Sequence, residues 1–283
     1  MELFQYAFMQ RAFLAAALTG LLCSTLSFFV VLNRLSFMGA GISHAMLAGM
    51  AVGLFIGVDP LYTGAVSAVL LALFIGWISR SRKIQEDTVI GIFFAAGMAL
   101  GVALISLKEG YYPELFSLLF GNILAVSAGD LYFLAAVMFA VLLFVFIFFK
   151  ELLTVSFDEE LAQANGLPAA ALRLGLLAAV ALTVVVSVMV VGVVLSSALL
   201  VTPAAAGQRL SLNYRTMLVV SVAVGILSGL TGLTFSYYYH IPSGASIVLV
   251  ATLIFFSSYI PSLSSTKTRQ KKNKTDGHGW MKK

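Results

Sequence analysis

The sequence predicts an all-α fold: a polytopic transmembrane helical bundle of about eight or nine spans, with a short re-entrant or broken helix among them. Three observations predict it. Of 283 residues, 60% are hydrophobic and 10% charged, where soluble domains carry about a quarter charged residues. Apolar runs of about 18 or more residues, long enough to cross a bilayer as helix, recur along nearly the whole chain. The twelve carboxylates all fall at or near the ends of those runs. The single cysteine, Cys23, excludes an intrachain disulfide. No basic stretch precedes the first apolar run and no cleavage-type site ends it, so the N-terminus does not read as a removable signal peptide.

In chain order the expected spans are about 8–32, 38–57, 60–79, 88–107, 131–149, 170–190, 193–208, 217–237 and 244–261. Basic residues follow alternate spans: Arg34 the first, residues 80–83 the third, Lys150 the fifth, Arg209 and Arg215 the seventh. Placing these inside, where positively charged loops prefer to lie, puts the N-terminus outside. Nine crossings then bring the C-terminus inside. Most of the net charge of +5 comes from residues 267–283. The chain therefore divides into a transmembrane domain, 1–263, and a basic cytoplasmic tail, 264–283, expected to be disordered. With the membrane part near neutral, the bilayer is an expected partner and nucleic acid is not.

Residues 114–128, ELFSLLFGNILAVSA, are too short and too interrupted by Gly121 and Asn122 to cross comfortably. They are expected to form a partial or re-entrant helix packed inside protein. Small residues recur at four-residue spacing on three consecutive spans: Ala45, Gly49, Gly53 and Gly57; Gly64, Ala68, Ala72 and Gly76; Gly91, Ala95, Ala99 and Ala103. Such stripes let helix backbones approach, so all three are expected to be packing faces.

No carboxylate lies mid-membrane, where an ion-coupled secondary transporter usually keeps one. Nothing matches G-x-x-x-x-G-K-[ST], and there is no H-E-x-x-H or Ser/His/Asp arrangement, so the chain does not read as an ATPase or other enzyme. Uphill transport would draw on a partner.

His44 lies in GAGISHAMLAG, within a stretch free of charge from residue 35 to residue 58. Counting from Arg34 puts it about 15 Å deep, near the middle of the hydrocarbon layer. A polar ring there must hydrogen-bond between helices, worth about 0.6–2 kcal/mol, or line a polar path. Imidazole is a borderline-soft ligand suited to divalent transition metals, and intramembrane ionisable residues favour function. His240 ends the run SYYYH at the expected outer mouth. Tyr237, Tyr238 and Tyr239 suit an interfacial aromatic belt there, and His240 either contacts a passing ion or belongs to the belt.

On the inner side SFDEELAQANGLP, residues 156–168, reads as a short capped helix. Ser156 and Glu159 have capping-box spacing, and Asp158, Glu159 and Glu160 suit a helix N-terminus. Gly166 stops the helix and Pro168 opens the next element. It is either a connector or a knob for a cleft in a cytoplasmic motor subunit.

Five blocks, MGAGISHAMLAGMAVGL, LLFGNILAVSAGDL, FDEELAQANGL, VGVVLSSALLVTPAAAGQRL and GLTFSYYYHIPSGASIVL, occur in the order seen in permeases of zinc/manganese/iron-type ABC metal importers. The resemblance runs from about residue 8 to residue 261. It implies a homodimeric permease in a bacterial plasma membrane, bound to cytoplasmic ATPase subunits and fed by an extracytoplasmic metal-binding protein. It also implies that helix 158–166 couples to the ATPase, through Asp158, Glu159, Glu160, Leu161, Ala162 and Gly166, and that His44 sits on the metal path. No cofactor is expected of the chain itself. The metal is cargo, touched transiently by His44, His240 and Asn122, because conduction requires release.

Two departures from the family pattern bear on the cargo. Ala40 stands where the family often has an aspartate four residues before the histidine, and His240 stands where it often has an acidic residue. Losing oxygen donors and gaining nitrogen leans towards zinc over manganese or iron. The rival readings are a secondary metal-ion transporter and an ABC permease for a metal chelate such as a siderophore, haem or cobalamin.

Overall fold

A computed structural model describes residues 6–79, 86–107, 121 and 123–259, and helix is the regular structure among them. In order come α1 (Ala7–Leu32), α2 (Met38–Ile56), α3 (Pro60–Ser79), α4 (Glu86–Leu107), a 3-10 turn (Ile123–Ala125), α5 (Ala128–Ile147) and α6 (Phe149–Phe157). Then follow α7 (Glu159–Ala164), α8 (Ala169–Val191), α9 (Val193–Leu199), α10 (Thr202–Leu210), α11 (Tyr214–Tyr239) and α12 (Ser243–Ser257). Eight segments are long and apolar enough to cross a bilayer, counting α9 and α10 as one, and α12 is a shorter apolar helix. In order these segments correspond to the expected spans, the last of them, α12, being only 15 residues long. One end carries α7, and the other carries His240.

Burial separates centre from flank. Of the spans, α1 and α8 are each 72% buried, whereas α4 and α5 are each 17% buried. A helix apolar on every side belongs in a core or against lipid, and both cases occur here. The two central helices meet at a polar contact, where Cys23 Sγ of α1 lies 3.1 Å from Ser187 Oγ of α8.

One broken span, expected from the sequence as a single helix, is α9–α10. Pro203 stands in the first turn of α10, where a missing N–H is tolerated but a continuing helix is not. Ala204 N, freed by the break, donates to Ser27 Oγ on α1 at 3.2 Å. Of residues 114–128, those described form the 3-10 turn at the His240 end and the start of α5; residues 114–120 lie outside the described residues.

Two of the three small-residue stripes pack as expected, except that Gly57 ends α2 at φ 74° and is exposed. Gly64, Ala68, Ala72 and Gly76 of α3 are buried, and Gly49 and Gly53 of α2 face Thr63 and Ser67 or Pro60 of α3 so closely that a Cβ would clash. The third stripe does not. Gly91, Ala95, Ala99 and Ala103 of α4 are exposed, and the close approach to α2 is made by Gly97 and Gly101. A Cβ on Gly97 would lie 2.7 Å from Ala45 Cα, and one on Gly101 would lie 3.1 Å from Ala48 N. Four-residue spacing identified a small-residue helix but chose the wrong one of its faces.

Candidate functional site

His44 lies six residues into α2, about 9 Å from its start. The midplane expectation treated the chain from Arg34 onwards as helix. In the structure residues 33–37 form the turn, with Arg34 at φ 59° and Leu35 N donating to Val30 O. His44 is half-buried and shares a strip of α2 with Ala40 and Ala48, both also half-buried. Its Nδ1 is 2.9 Å from Ala40 O. A carbonyl oxygen can only accept, so Nδ1 carries the hydrogen, and in the neutral ring Nε2 then offers its lone pair to a ligand. The ring packs against Phe94 of α4, centroid to centroid 4.6 Å. Phe94 carries no periodic signal that would mark it as a partner, because its span is apolar throughout.

His240 is the residue that ends α11, in the left-handed region at φ 55° and ψ 34°. It is exposed on the wall of a cavity of about 1190 Å³, together with Met9, Asp130, Met189, Tyr237 and Tyr238. Ser236 Oγ donates to Ile241 O at 2.7 Å and pins the turn. Asp130 is committed to a capping box at the start of α5: its Oδ2 accepts from Ser127 N at 2.9 Å and Ser127 Oγ at 2.7 Å. His44 and His240 are not brought together, since the twelve residues of α2 beyond His44 carry the chain about 18 Å further along the helix. Asn122 lies outside the described residues. Its neighbour Gly121 has φ 66° and sits so close to the Val191–Gly192 peptide that a Cβ would clash. Among the described residues no three His, Cys, Asp or Glu side chains group as a metal site.

At the other end the short helix exists, but its cap differs. Asp158 is the capping residue, its Oδ1 accepting from Leu161 N at 3.0 Å. Ser156 belongs to α6, where its Oγ donates to Leu152 O and accepts from Asn33 Nδ2. Gly166 turns the chain at φ 78° as expected. Glu159 points back to Arg173 of α8, its Oε2 accepting from Nη1 at 2.9 Å, and Ala162 is buried. The outward face is formed by Asp158, Glu160 and Leu161, joined by Phe157, which the sequence reading did not single out. Phe157 is 65% exposed and Leu161 55%.

A bundle of apolar, membrane-length helices with a half-buried imidazole on one helix and a capped apolar knob at one end defines a multi-pass membrane protein. The family model described as the ABC 3 transport family matches residues 5–262, and the chain belongs to that family. It is similar to the manganese transport system membrane protein MntC of Halalkalibacterium halodurans, 37% identical over 254 residues, covering 90% of this chain and 87% of that one. It is likewise similar to the chelated iron transport system membrane protein YfeD of Yersinia pestis, 36% identical over 260 residues, covering 92% and 87% of the two chains. The solved structure of PsaBC from Streptococcus pneumoniae in complex with Fab superposes with a TM-score of 0.77 at 36% identity, covering 91% of this chain and 92% of that one. The chain is thus a multi-pass permease subunit of an ABC transport system, and the expectation of a non-enzymatic subunit holds.

Proposed function

We propose that this chain is the permease through which a divalent transition-metal ion crosses a bacterial plasma membrane, driven by a separate cytoplasmic ATPase. The observation that carries the reading is His44, a half-buried imidazole at membrane depth with Nε2 available. An imidazole turned towards lipid would be costly, which supports a homodimer whose two α2 strips close the path between them. Relatives named for manganese and chelated iron support the class of cargo. Zinc is the cargo that this chain's own donors favour, because Ala40 brings no oxygen side chain beside the imidazole. Manganese is the second reading, supported by the likeness to MntC.

In this reading α7 is the coupling helix, with Asp158, Glu160, Leu161 and Phe157 towards the ATPase. The opposite end, with His240 and its cavity, faces the extracytoplasmic metal-binding protein. Lys150, Arg209 and Arg215 are exposed at the α7 end, which supports placing that end inside and the N-terminus outside.

The permease, reconstituted in vesicles with its ATPase and binding protein, is expected to import zinc faster than manganese when ATP is supplied. Faster manganese uptake would overturn the zinc assignment, and no ATP-dependent uptake of either metal would overturn the transport reading. Orientation is tested separately with an impermeant thiol reagent on intact cells. Tyr239→Cys should label and Lys150→Cys should not; the reverse pattern inverts the bundle. The background for that experiment is Cys23→Ser rather than alanine, which keeps a hydroxyl beside Ser187.

His240 allows a clean substitution. Glycine adopts a positive φ without the cost that other residues incur. His240→Gly should therefore leave the melting temperature of the purified complex unchanged or raised, while uptake falls several-fold. Uptake equal to the parent's removes His240 from the metal path.

A further inference from the structure

We propose that Arg173 is the joint through which movement of α7 reaches His44; the inference rests on the coupling role proposed above. Arg173 stands in the second turn of α8, at the α7 end. Its Nη1 donates to Glu159 Oε2 at 2.9 Å, and its Nη2 pairs with Glu86 Oε1. Glu159 opens α7 and Glu86 opens α4. One guanidinium thus ties the coupling helix, the central α8 and the peripheral α4. The side chains of Arg173, Glu159 and Glu86 are only 27%, 24% and 14% exposed, so their attraction is screened less than that of a surface pair. The planar fork of an arginine can hold two carboxylates at once, which a lysine ammonium does less well.

From Glu86 the connection runs along one face of α4. One turn on, the side chain of Ile90 occupies the space beside Gly41 of α2. A turn further, Phe94 packs on the His44 ring. Gly97 and Gly101 then lie against Ala45 and Ala48, too close for an added Cβ. These contacts fix α4 to the stretch of α2 that carries His44, because closely packed surfaces move together rather than slide. Elsewhere α4 is little restrained, with 17% of its span buried. A shift of α7 therefore pulls Glu86 through Arg173, tilts α4, and re-aims the imidazole between holding and releasing the ion. Docking on α7 and release at His44 become one event.

The experiment compares ATP hydrolysed per ion imported in vesicles containing the whole complex. Glu86→Gln leaves the Arg173–Glu159 bond, and with it the seat of α7, in place. The ATPase should bind and hydrolyse as in the parent while uptake falls, so that ATP consumed per ion rises about tenfold, the scale of one lost charge-assisted bond. Arg173→Lys should shift the ratio in the same direction by less. Phe94→Ala should raise the ratio too, and combining it with Glu86→Gln should add little, because both interrupt one route. A cluster that only held the fold together would lower the yield of folded complex and leave the ratio at the parent's value in all variants. That outcome, or additive effects of Glu86→Gln and Phe94→Ala, would overturn the joint. Absence of metal uptake by the parent itself overturns the transport reading and the joint with it, and is recognised because it precedes any substitution.

Discussion

His44→Gln is expected to reduce metal uptake to that of vesicles lacking the permease, at matched amounts of folded complex. The substitution is chosen for what it retains. A glutamine amide can donate to Ala40 O as Nδ1 does now, so the helix keeps its side-chain hydrogen bond while the metal loses its nitrogen ligand. If His44 served only packing, its loss would cost about 0.6–2 kcal/mol of stability. That would appear as less folded complex with normal uptake per molecule. Normal zinc uptake by His44→Gln would therefore remove the imidazole from the path. Ala40→Asp supplies the companion test. It places a carboxylate one helical turn before the imidazole, on the same half-buried strip. An added oxygen donor should move the preference towards manganese relative to zinc, and an unchanged ratio would mean that the strip does not discriminate metals.

The second large effect is expected at the α7 end. Phe157→Ser combined with Leu161→Ser should abolish co-purification with the ATPase and metal-stimulated hydrolysis, without loss of the folded bundle. Both side chains are more than half exposed in the permease alone, so the bundle has little to lose from their removal. Burying one large apolar side chain contributes about 1.5–3 kcal/mol, and two together correspond to association weaker by about a hundredfold or more. Glu160→Gln should have a smaller effect. Replacing Glu159 would confound the measurement, because its carboxylate faces Arg173 rather than outward. Undiminished association of the double variant would assign α7 to a connector and nothing more.

Much of this was legible in the sequence. The spans follow from run length alone, since a bilayer imposes one dimension on every helix. Gly166 marked its turn because a positive φ favours glycine. What escaped was the direction in which side chains point. Ser156 and Glu159 have the spacing of a capping box, but the pattern S-F-D-E offers two capping residues one after the other, and Asn33 claims the first. The true capping box, Ser127 with Asp130, lay in a segment read as irregular. On α4 the face that meets α2 was set by Gly97 and Gly101; in a helix apolar on all sides, hydropathy does not distinguish neighbour from lipid. His44 was visible as a residue, while its depth depended on a five-residue turn with no proline or glycine to announce it.

The interrupted span also bears on how the chain is made. Val193–Leu210 has the lowest mean hydropathy of the eight spans, 1.3, against 2.8 for α8 just before it. Its two pieces, 7 and 9 residues long, reach about 10 and 14 Å as helix, well short of the roughly 30 Å of hydrocarbon. A segment so weakly apolar and so divided partitions poorly on its own. It becomes comfortable only when α1 is already in place to offer Ser27 to the open backbone at Ala204. Passage of this span into the membrane is therefore expected to depend on contact with α1, and Ser27→Ala should slow it.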